Sequence, residues 1–395
     1  MSVRSFIVPP VDTVSYGAGA FGGVADLVEK LGGSRVLTVL SSSLVGTPIE
    51  SQMREKLGDK LVAVYSRTRQ HVPRGSVLEA AAAARKVDAD CVVSLGGGTP
   101  IDCAKAVTLC LAADITTPEQ FEDYRVRFTY PSTYEIPPAP EHVIPHIAVP
   151  TTLSGGEHTG LFGVTDEETH LKGSYTSPKF MPKAVILDPE ITTKTPGWLW
   201  AASGMRAIDH AVEGILSARS MPIADALGAE ALRLLADNLA VSAREPDNLE
   251  ARTNCLLGTW LSIFALTNVG VGLSHGIGHQ LAAEYDMIHG VTSAVMLPLV
   301  MEFNAAHTQP KLRRIAEALG QDTRNLDDEA AAASAIESVR KLIDSLEVPH
   351  KISAVGGERS ALPGIAARVM SDPAVAASPR PVTEADVLQL LEAAW

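Results

Sequence analysis

The sequence predicts two domains: an N-terminal α/β domain built on a parallel sheet, and an all-helical C-terminal domain. Short apolar runs rich in β-branched residues alternate with helical stretches in the first half of the chain, and these runs stop near residue 187. Alternating strands and helices are typical of parallel sheets with right-handed crossovers. Long helical patterns then continue to the C-terminus. We therefore expect one domain at residues 1–187 and the other at residues 188–395.

The composition limits the classes of protein to be considered. Hydrophobic residues make up 46% of the chain and charged residues 20%, which is ordinary for a soluble enzyme. The net charge of −13 argues against non-specific nucleic-acid binding. Neither an apolar run near the roughly 18 residues of a membrane span nor the apolar stretch of a secretory signal is present. We expect a cytoplasmic protein with neither nucleic-acid nor membrane partners.

Four cysteines, Cys91, Cys103, Cys110 and Cys255, form no CxxC pair. A zinc ribbon or a disulfide framework is therefore not predicted. Cys91 lies in an apolar run and is expected to be a small core residue.

Four strands are predicted in the first domain, each from an apolar run that ends in small residues. They lie at residues 34–42, 88–98, 142–152 and 183–189. The clearest helical stretches between them are residues 21–33 and 76–87. Parallel sheets bind their ligands at the carboxyl ends of the strands, and the glycine-rich loops of this chain fall there.

The strongest loop contains Gly96, Gly97 and Gly98, with Thr99 as the expected N-cap of the next helix and Pro100 at its first position. Glycines let the backbone approach a phosphate closely, and the N–H groups and dipole of a helix N-terminus favour its charge. Three successive glycines exceed what a plain strand-to-helix turn needs. The loop is therefore predicted to bind a phosphate.

Residues 17–22 also match GxGxxG, but the context of a dinucleotide-binding fingerprint is missing. Such a fingerprint has an acidic residue about 20 positions further on, at the end of a strand, to bind the ribose hydroxyls. That strand ends here in Ser41, Ser42 and Ser43. We interpret the match as accidental, and the choice between NADH and NADPH stays open.

A third loop, residues 150–157, offers the hydroxyl groups of Thr151, Thr152 and Ser154 among glycines. These groups suit the pyrophosphate or nicotinamide side of a cofactor, although an ordinary Ser/Gly loop has the same composition.

Three polar residues follow this loop. Lys172 could neutralise phosphate or substrate charge, or could be an ordinary surface lysine. His158 and His170 lie in polar loops and are expected to be solvated.

The second domain is predicted from long helical patterns. These patterns lie at residues 224–243, 250–269, 310–320 and 331–346. The tail from residue 382 is predicted to be a terminal amphipathic helix with Thr383 as its N-cap.

Two one-turn pairs in this domain indicate a site. Arg206 and His210 are four residues apart, as are His275 and His279, so each pair shares one helix face. His289 follows at an expected helix boundary, because a glycine comes next. Three imidazoles could converge as a divalent metal site requires, but a guanidinium has no lone pair to offer a cation. The combination suggests a metal site rebuilt to hold an anion.

Several segments, in the same order along nearly the whole chain, resemble the iron-containing alcohol dehydrogenase superfamily and, within it, the maleylacetate reductase branch. They are GGGTPIDCAKA, PTTLSGGEHT, VILDPEITTKTP, SGMRAIDHAVE, SHGIGHQLAAEYDMIHG and the C-terminal tail. The resemblance implies the dehydroquinate synthase-like fold of that superfamily, with a Rossmann-like domain that binds NAD or NADP and a helical domain. It also implies a homodimer. The expected cofactor-binding residues are Gly96, Gly97, Gly98, Thr99, Asp102, Thr151, Thr152, Ser154 and Lys172.

The resemblance also implies roles in the second domain. In metal-using members the ligands would fall at Arg206, His210, His275 and His289, with an aspartate at the first position, while His279 would lie beside the substrate and relay protons. Maleylacetate reductases carry asparagine in place of that aspartate and are thought to work without metal. Arg206 departs from both patterns.

The charge of Arg206 decides between these roles. A fixed cation repels a divalent ion by several kcal/mol at roughly 4 Å, even at an effective dielectric constant of about 20. We therefore expect no catalytic metal. Arg206 would hold a substrate carboxylate or polarise a carbonyl, and the imidazoles would supply hydrogen bonds and a proton.

Two alternatives remain for this cluster. His210, His275 and His289 could bind zinc as neutral imidazoles if Arg206 turned away. Arg206 could also pair with Asp209 or Glu213 on its own helix in a purely structural role.

Three functions follow from these readings. The leading one is an NAD(P)H-dependent reductase of a keto or enone carboxylic acid, maleylacetate-like, with a small anionic organic substrate. The second is an iron- or zinc-dependent alcohol or aldehyde dehydrogenase. The third is a non-redox lyase or hydrolase-type derivative of the same fold.

Overall fold

The structure is a computed structural model that describes residues 5–129, 133–169 and 171–395. The chain divides into two compact units. The first, here called the sheet unit, comprises Val8–Arg127 and Glu135–Lys194. The second, the helical unit, comprises Met1–Ile7, Phe128–Tyr134 and Thr195–Trp395.

The strands lie in the first half of the chain, as predicted. In chain order they are β1 Thr13–Tyr16, β2 Val36–Leu40, β3 Leu61–Tyr65, β4 Cys91–Gly96, β5 Arg127–Thr129, β6 Thr133–Glu135, β7 His146–Pro150, β8 Leu161–Thr165, β9 Lys172–Thr176 and β10 Ala184–Leu187. The four predicted strands correspond to β2, β4, β7 and β10, whereas β1, β3, β5, β6, β8 and β9 were not predicted. The sheet unit thus has the predicted α/β class.

Six strands form one parallel sheet in the order β1-β10-β7-β4-β2-β3. After β2 the chain adds β3 on one side, and it then crosses over to place β4 on the other side of β2. The order β3-β2-β4-β7-β10 is therefore doubly wound, with β1 added at the far edge. In such sheets the ligand-binding crevice opens where the direction of winding reverses, which here lies between β2 and β4.

Helices cover both faces of this sheet. They are α1 Val24–Lys30, α2 Pro48–Leu57, α3 Arg74–Lys86, α4 Gly98–Ala112 and α5 Pro189–Thr192. Within β2, Val36 and Leu40 pack into one hydrophobic cluster, while Leu37 and Val39 pack into the other. Successive side chains of a strand point to opposite faces, so a strand buried on both faces is continuously apolar. This explains the uninterrupted apolar runs of the sequence.

The helical unit has nine α-helices among the residues that the structure describes. They are α6 Gly197–Leu216, α7 Pro222–Arg244, α8 Leu249–Phe264, α9 Leu266–Val269, α10 Leu273–Tyr285, α11 His289–Ala318, α12 Asp328–Ser345, α13 Leu362–Val369 and α14 Glu384–Ala393. The predicted helical segments all lie within these helices or at their ends. Thr383 is the N-cap of α14 and forms a capping box with Asp386, as predicted for the tail.

Two details of α11 bear on the site. The helix begins at His289, which confirms the boundary predicted there. It contains a kink at Thr308, whose φ of −136° is non-helical, two residues before Pro310. The helical stretch predicted at residues 310–320 corresponds to the part of α11 after this kink.

In the described part of the chain, no single helix has both the length and the apolar character needed to cross a membrane. One pair, Leu249–Val269 and Leu273–Tyr285, meets that requirement jointly, by length and composition alone. The two members are bent by 104° at the break between them.

The four cysteines are buried and free of disulfides. Cys91 belongs to the hydrophobic cluster on one face of the sheet, and Cys103 and Cys110 belong to the cluster on the other face. Burial raises the pKa of the Cys91 thiol to about 12. The prediction that Cys91 is a core residue is confirmed.

Candidate active site

The predicted phosphate loop joins the central strand β4 to α4. The helix begins at Gly98, with Gly97 as its N-cap, and no side chain caps it. Thr99 and Pro100 are thus the second and third residues of the helix, and the prediction that Thr99 is the N-cap was wrong. The helix starts earlier because the chain turns directly at the end of β4, where Gly96 has a φ of +147° that is accessible to glycine.

Neighbouring segments lie close to the three glycines of this loop. A Cβ atom on Gly96 would lie 2.7 Å from both Pro100 Cγ and Ser41 Cβ. One on Gly97 would lie 3.2 Å from Thr152, and one on Gly98 would lie 3.1 Å from Ser154 Oγ. The close approach therefore requires glycine at position 96, whereas a side chain at position 97 or 98 would need a small shift of Thr152 or Ser154.

The same distances show that the loop after β7 lies against the glycine loop. Thr152 and Ser154 contact it, and the N–H of Thr151 donates to Gly96 O at 2.9 Å. The structure thus brings the two predicted cofactor loops together at the N-terminus of α4. Backbone amides, hydroxyl groups and the dipole of a 15-residue helix suit the pyrophosphate of a dinucleotide.

Asp102 and Lys172, two other predicted cofactor residues, meet at the hairpin of β8 and β9. Asp102 Oδ2 accepts a hydrogen bond from the N–H of Gly163 at 3.2 Å. The stem of Lys172 also lies over Gly163, since a Cβ there would be 2.2 Å from Lys172 Cε. Asp102 therefore ties the first turn of α4 to this hairpin, and Lys172 is exposed on it.

Lys105, a buried lysine of α4, was not predicted to contribute to the site. Lys105 is fully buried and its Nζ donates to Gly156 O and to Leu161 O. Glu157 is also fully buried, and burial raises the pKa of its carboxyl group to about 7. Hydrogen bonds from Lys105 of α4 therefore hold the backbone of the segment after β7.

The expectation that His158 is solvated was wrong. Its side chain is buried, and burial lowers the pKa of the imidazole to about 3, with a further contribution from the charge of Lys105. The left-handed backbone of Gly155, with φ of +77°, turns residues 156–158 back onto α4. His170 lies outside the described residues.

A separate cluster of candidate residues lies within the helical unit. Arg206 and His210 lie on α6, His275 and His279 lie on α10, and His289 begins α11. The ring centroids are 4.9 Å apart for His210 and His275, 6.3 Å for His275 and His279, and 5.9 Å for His279 and His289. The five residues singled out in the sequence therefore form one cluster.

A glycine makes this convergence possible. A Cβ atom on Gly290 would lie only 1.7 Å from Ala202 O on α6. Only glycine allows α11 to approach α6 this closely, and the approach places His289 beside the turn of α6 that carries Arg206.

Arg206 holds its charge inside the cluster. Its Nη2 lies 3.4 Å from Nε2 of His279, while its Nη1 is buried and has no hydrogen-bond partner among the described residues. Burial lowers the pKa of the guanidinium, opposed by the charges of Asp209 and Glu213. The group nevertheless remains a cation, because arginine does not deprotonate in proteins.

The alternative in which Arg206 pairs with a carboxylate of its own helix does not match these contacts. Glu213 accepts hydrogen bonds from the N–H groups of Gly272 and Ser274, both at 2.7 Å, and so caps the N-terminus of α10. Asp209 accepts from the hydroxyls of Ser274 and Ser293 at 2.9 and 2.7 Å. Both carboxylates therefore accept hydrogen bonds from α10 and α11 rather than from Arg206.

Glu213 also orients His275. The Nδ1 atom of His275 lies 2.7 Å from Glu213 Oε2, which assigns the ring proton to Nδ1. Its Nε2 is then a lone-pair nitrogen, buried and without a hydrogen-bond partner in the described residues. Burial, assisted by the charge of Arg206, lowers the pKa of both His275 and His210, so both rings are neutral at physiological pH.

His279 has a different environment. Its Nδ1 lies 3.0 Å from Asp372 Oδ2, so its Nε2 faces Arg206. Its side chain is 37% exposed, which lets water exchange protons with the ring. An aspartate–histidine pair between a buried cation and solvent suits proton transfer to a bound molecule. Sequence reasoning missed Asp372, whose one local signal is the proline that follows it at a helix start.

The cluster was tested for its fit to the metal of the resembled family. Among the described residues, the ligand atoms that all lie within 4.8 Å of one another belong to Asp209, Glu213 and His275. The carboxylates already accept hydrogen bonds from the protein, and a cation there would stand near the guanidinium of Arg206. The residues present therefore fit an anion better than a metal ion.

Comparisons with known proteins identify the family of the chain. Residues 11–189 match the iron-containing alcohol dehydrogenase domain, and residues 200–395 match the C-terminal domain of the Fe-containing alcohol dehydrogenase family. A maleylacetate reductase from Sphingobium indicum is 30% identical over 390 residues, which cover 98% of this chain and 97% of that protein.

Similarity to alcohol dehydrogenases is of the same order. A lactaldehyde reductase from Escherichia coli is 29% identical, with 97% of this chain and 98% of that protein covered. The crystal structure of a 1,3-propanediol oxidoreductase superposes with a TM-score of 0.91 at 28% identity, covering 99% of this chain and 100% of the other. The chain therefore belongs to the iron-containing alcohol dehydrogenase family, a family of oxidoreductases.

Proposed function

We propose that the chain is an NAD(P)H-dependent reductase of a small keto or enone carboxylic acid, maleylacetate-like, that works without a catalytic metal. The observation that carries this proposal is the buried guanidinium of Arg206. It stands among imidazoles that the family uses for metal, and its Nη1 has no hydrogen-bond partner in the described residues.

A carboxylate is the chemical group that such a guanidinium binds best. A buried donor without a partner costs free energy, and a ligand oxygen that reaches it removes this cost. A carboxylate offers two oxygens that match the planar fork of arginine and carries the opposite charge. Small carboxylic acids are therefore the substrates that the site supports best.

The histidines provide the proton. A bound reduced nicotinamide would supply a hydride to an electrophilic carbon of the substrate. His279, protonated on both ring nitrogens, would deliver the proton of Nε2 to the carbonyl oxygen of a keto acid, or to the carbon next to the carbonyl of an enone, and would be left as the neutral ring with its proton on Nδ1. Asp372 holds the other ring nitrogen, and the exposed edge of His279 allows water to return the proton.

The similarity to maleylacetate reductases along the full chain supports this reading, because those proteins are named for reducing an unsaturated keto acid. The similarity to alcohol dehydrogenases is as strong, so sequence identity does not choose the substrate. The choice of a carboxylic acid as the substrate therefore rests on Arg206.

The experiment is a substrate panel read by dinucleotide oxidation. Purified protein, never exposed to chelators, is analysed for bound metal and assayed with NADH and NADPH against keto acids, enone acids and matched uncharged ketones and aldehydes. We expect activity with the acids, little with the uncharged partners, and substoichiometric iron and zinc. Stoichiometric metal whose removal abolishes activity would overturn the metal-free mechanism.

The second candidate is a metal-dependent alcohol or aldehyde dehydrogenase. It is favoured by the free lone pair on Nε2 of His275 and by the relatives that act on lactaldehyde and 1,3-propanediol. In that case the metal analysis is positive, and uncharged aldehydes are reduced faster than acids.

A further inference from the structure

We propose that this chain prefers NADPH to NADH, and that Arg67 and Arg69 bind the 2′-phosphate of its adenosine ribose. This inference rests on the proposed function, because it requires a nicotinamide dinucleotide at the sheet. It concerns residues beyond the ends of β2 and β3, outside the loops described above.

The topology of the sheet defines where the adenosine half of the cofactor lies. The crevice opens between the carboxyl ends of β2 and β4. The glycine loop at the N-terminus of α4, which suits the pyrophosphate, lies on the β4 side of this crevice and is here called the pyrophosphate cradle. The N–H of Ser41, just after β2, donates to Leu95 O of β4 at 2.9 Å, so these two strand ends are adjacent. A dinucleotide that leaves the cradle in this direction passes over the end of β2 towards β3.

The end of β2 lacks the residue that selects NADH. Dinucleotide sites that prefer NADH have an acidic residue there, which accepts the ribose hydroxyls and repels a 2′-phosphate. Here the strand is followed by three serines, and the hydroxyls of Ser41 and Ser43 lie 3.0 Å apart. Serine hydroxyls can donate to a phosphate, so this position accepts the extra charge.

A cavity of about 530 Å³ lies at this place, within the size range of small-molecule sites. Ser42, Ser66, Thr68 and Ser76 line it, together with the two arginines. Arginines and hydroxyls together are typical of sites for a phosphate monoester. The lining therefore supplies the donors that a 2′-phosphate needs.

Both arginines form exposed ion pairs, and Nε of Arg69 also donates to Ser76 Oγ at 3.3 Å. Nη2 of Arg67 lies 3.2 Å from Glu79, and the two side chains are 75% and 55% exposed. Nη2 of Arg69 lies 2.7 Å from Glu167, with exposures of 60% and 43%. Exposed ion pairs contribute little free energy, so a doubly charged phosphate can replace these carboxylates at small cost.

Replacing Glu79 should have the opposite effect to replacing either arginine. It lines the cavity and repels a phosphate, so replacing it with glutamine should strengthen binding of NADPH. Glutamine keeps an oxygen for the hydroxyl of Tyr65, which now donates to Glu79 at 3.2 Å.

The test is direct binding, measured by isothermal titration calorimetry on the intact protein with NADPH, NADH and 2′,5′-ADP. We expect NADPH to bind about tenfold or more tightly than NADH. Arg67→Ala and Arg69→Ala should each weaken NADPH and 2′,5′-ADP by roughly tenfold and change NADH by less than about twofold. Glu79→Gln should strengthen NADPH alone.

Lys86→Ala is the matched control. Lys86 is an exposed cation in the last turn of α3 and is not among the residues that line the cavity, so its loss changes the net charge equally without touching the cavity. It should leave all three affinities unchanged.

The outcomes separate this inference from the proposed function. If NADH binds as tightly as NADPH and neither arginine variant changes the ratio, the inference is overturned while the reductase function stands. If neither dinucleotide binds, both are overturned. A tenfold preference that the arginine variants remove, and that Lys86→Ala retains, supports it.

Discussion

The role of Arg206 is open to a quantitative test with Arg206→Ala. If the guanidinium binds the substrate carboxylate, the substitution removes up to two charge-assisted hydrogen bonds, each of about 1.5–3 kcal/mol. Nη2 already lies 3.4 Å from Nε2 of His279, so only Nη1 is wholly available to the substrate. Two such bonds together contribute about 3–6 kcal/mol. We expect a loss in the lower half of that combined range, about 3–4 kcal/mol, or roughly 10²–10³-fold in kcat/KM.

The assay compares a carboxylic-acid substrate with its carboxamide, which has the same shape and lacks the charge. In the wild-type protein the acid should be the better substrate by a large factor, and in Arg206→Ala the two should become similar. Arg206→Lys keeps the charge but loses the planar fork, so it should recover only part of kcat/KM for the acid.

Folding and charge are controlled separately. Within the part of the chain that the structure describes, Arg206 makes no direct contact with a carboxylate but lies in the field of Asp209 and Glu213, so a melting curve is recorded for the variant to separate a loss of stability from a loss of substrate binding. Arg233→Ala, which removes an exposed arginine paired with Glu230 on α7, should leave both substrates unaffected. Equal loss of acid and carboxamide reduction in Arg206→Ala would refute carboxylate binding by this residue.

Three further predictions concern the groups around the two loops and the cluster. Asp372→Asn leaves Nδ1 of His279 without its carboxylate, so kcat should fall by about 10²-fold with a smaller change in KM, measured by steady-state kinetics. Glu213→Ala removes the cap of α10 and the partner of His275, and should cost about 3 kcal/mol in urea unfolding, with partial recovery in Glu213→Gln. The pKa of Glu157 is raised by burial from 4.5 to about 7, so the native state binds its proton more tightly and loses stability as pH rises from 4.5 to 7. The free energy of unfolding of Glu157→Gln relative to wild type should therefore increase by about 3 kcal/mol between pH 4.5 and pH 8, and a pH-independent difference would contradict the assignment.

Much of the fold could be predicted because its signals are local. The runs that became β2, β4, β7 and β10 are apolar on both faces and end in small residues. The strand β3, Leu61–Tyr65, was missed because it follows α2 after one short turn and is only half buried. An apolar run in that position is equally compatible with a continuing helix.

The candidate site, like the fold, was predicted where its signals are local and missed where they are not. Arg206 with His210, and His275 with His279, were recognised because a spacing of four residues has one meaning on a helix. Glu213 and Asp372 were not recognised as their partners, because they lie 62 and 93 residues away from the histidines that they orient. The burial of His158 was missed for a related reason: a polar sequence around a histidine does not reveal which helix packs over it.

Residue spacing by itself established the α/β and helical halves, the glycine loop at a strand end and the one-turn pairs, since these depend on backbone geometry over a few residues. Packing between distant segments decided which ring nitrogen of His275 and of His279 faces a carboxylate, which carboxylates bind groups of α10 instead of Arg206, and how far Glu157 is removed from water. Those properties depend on desolvation and on charges brought close by the fold, and neither quantity is a function of local sequence.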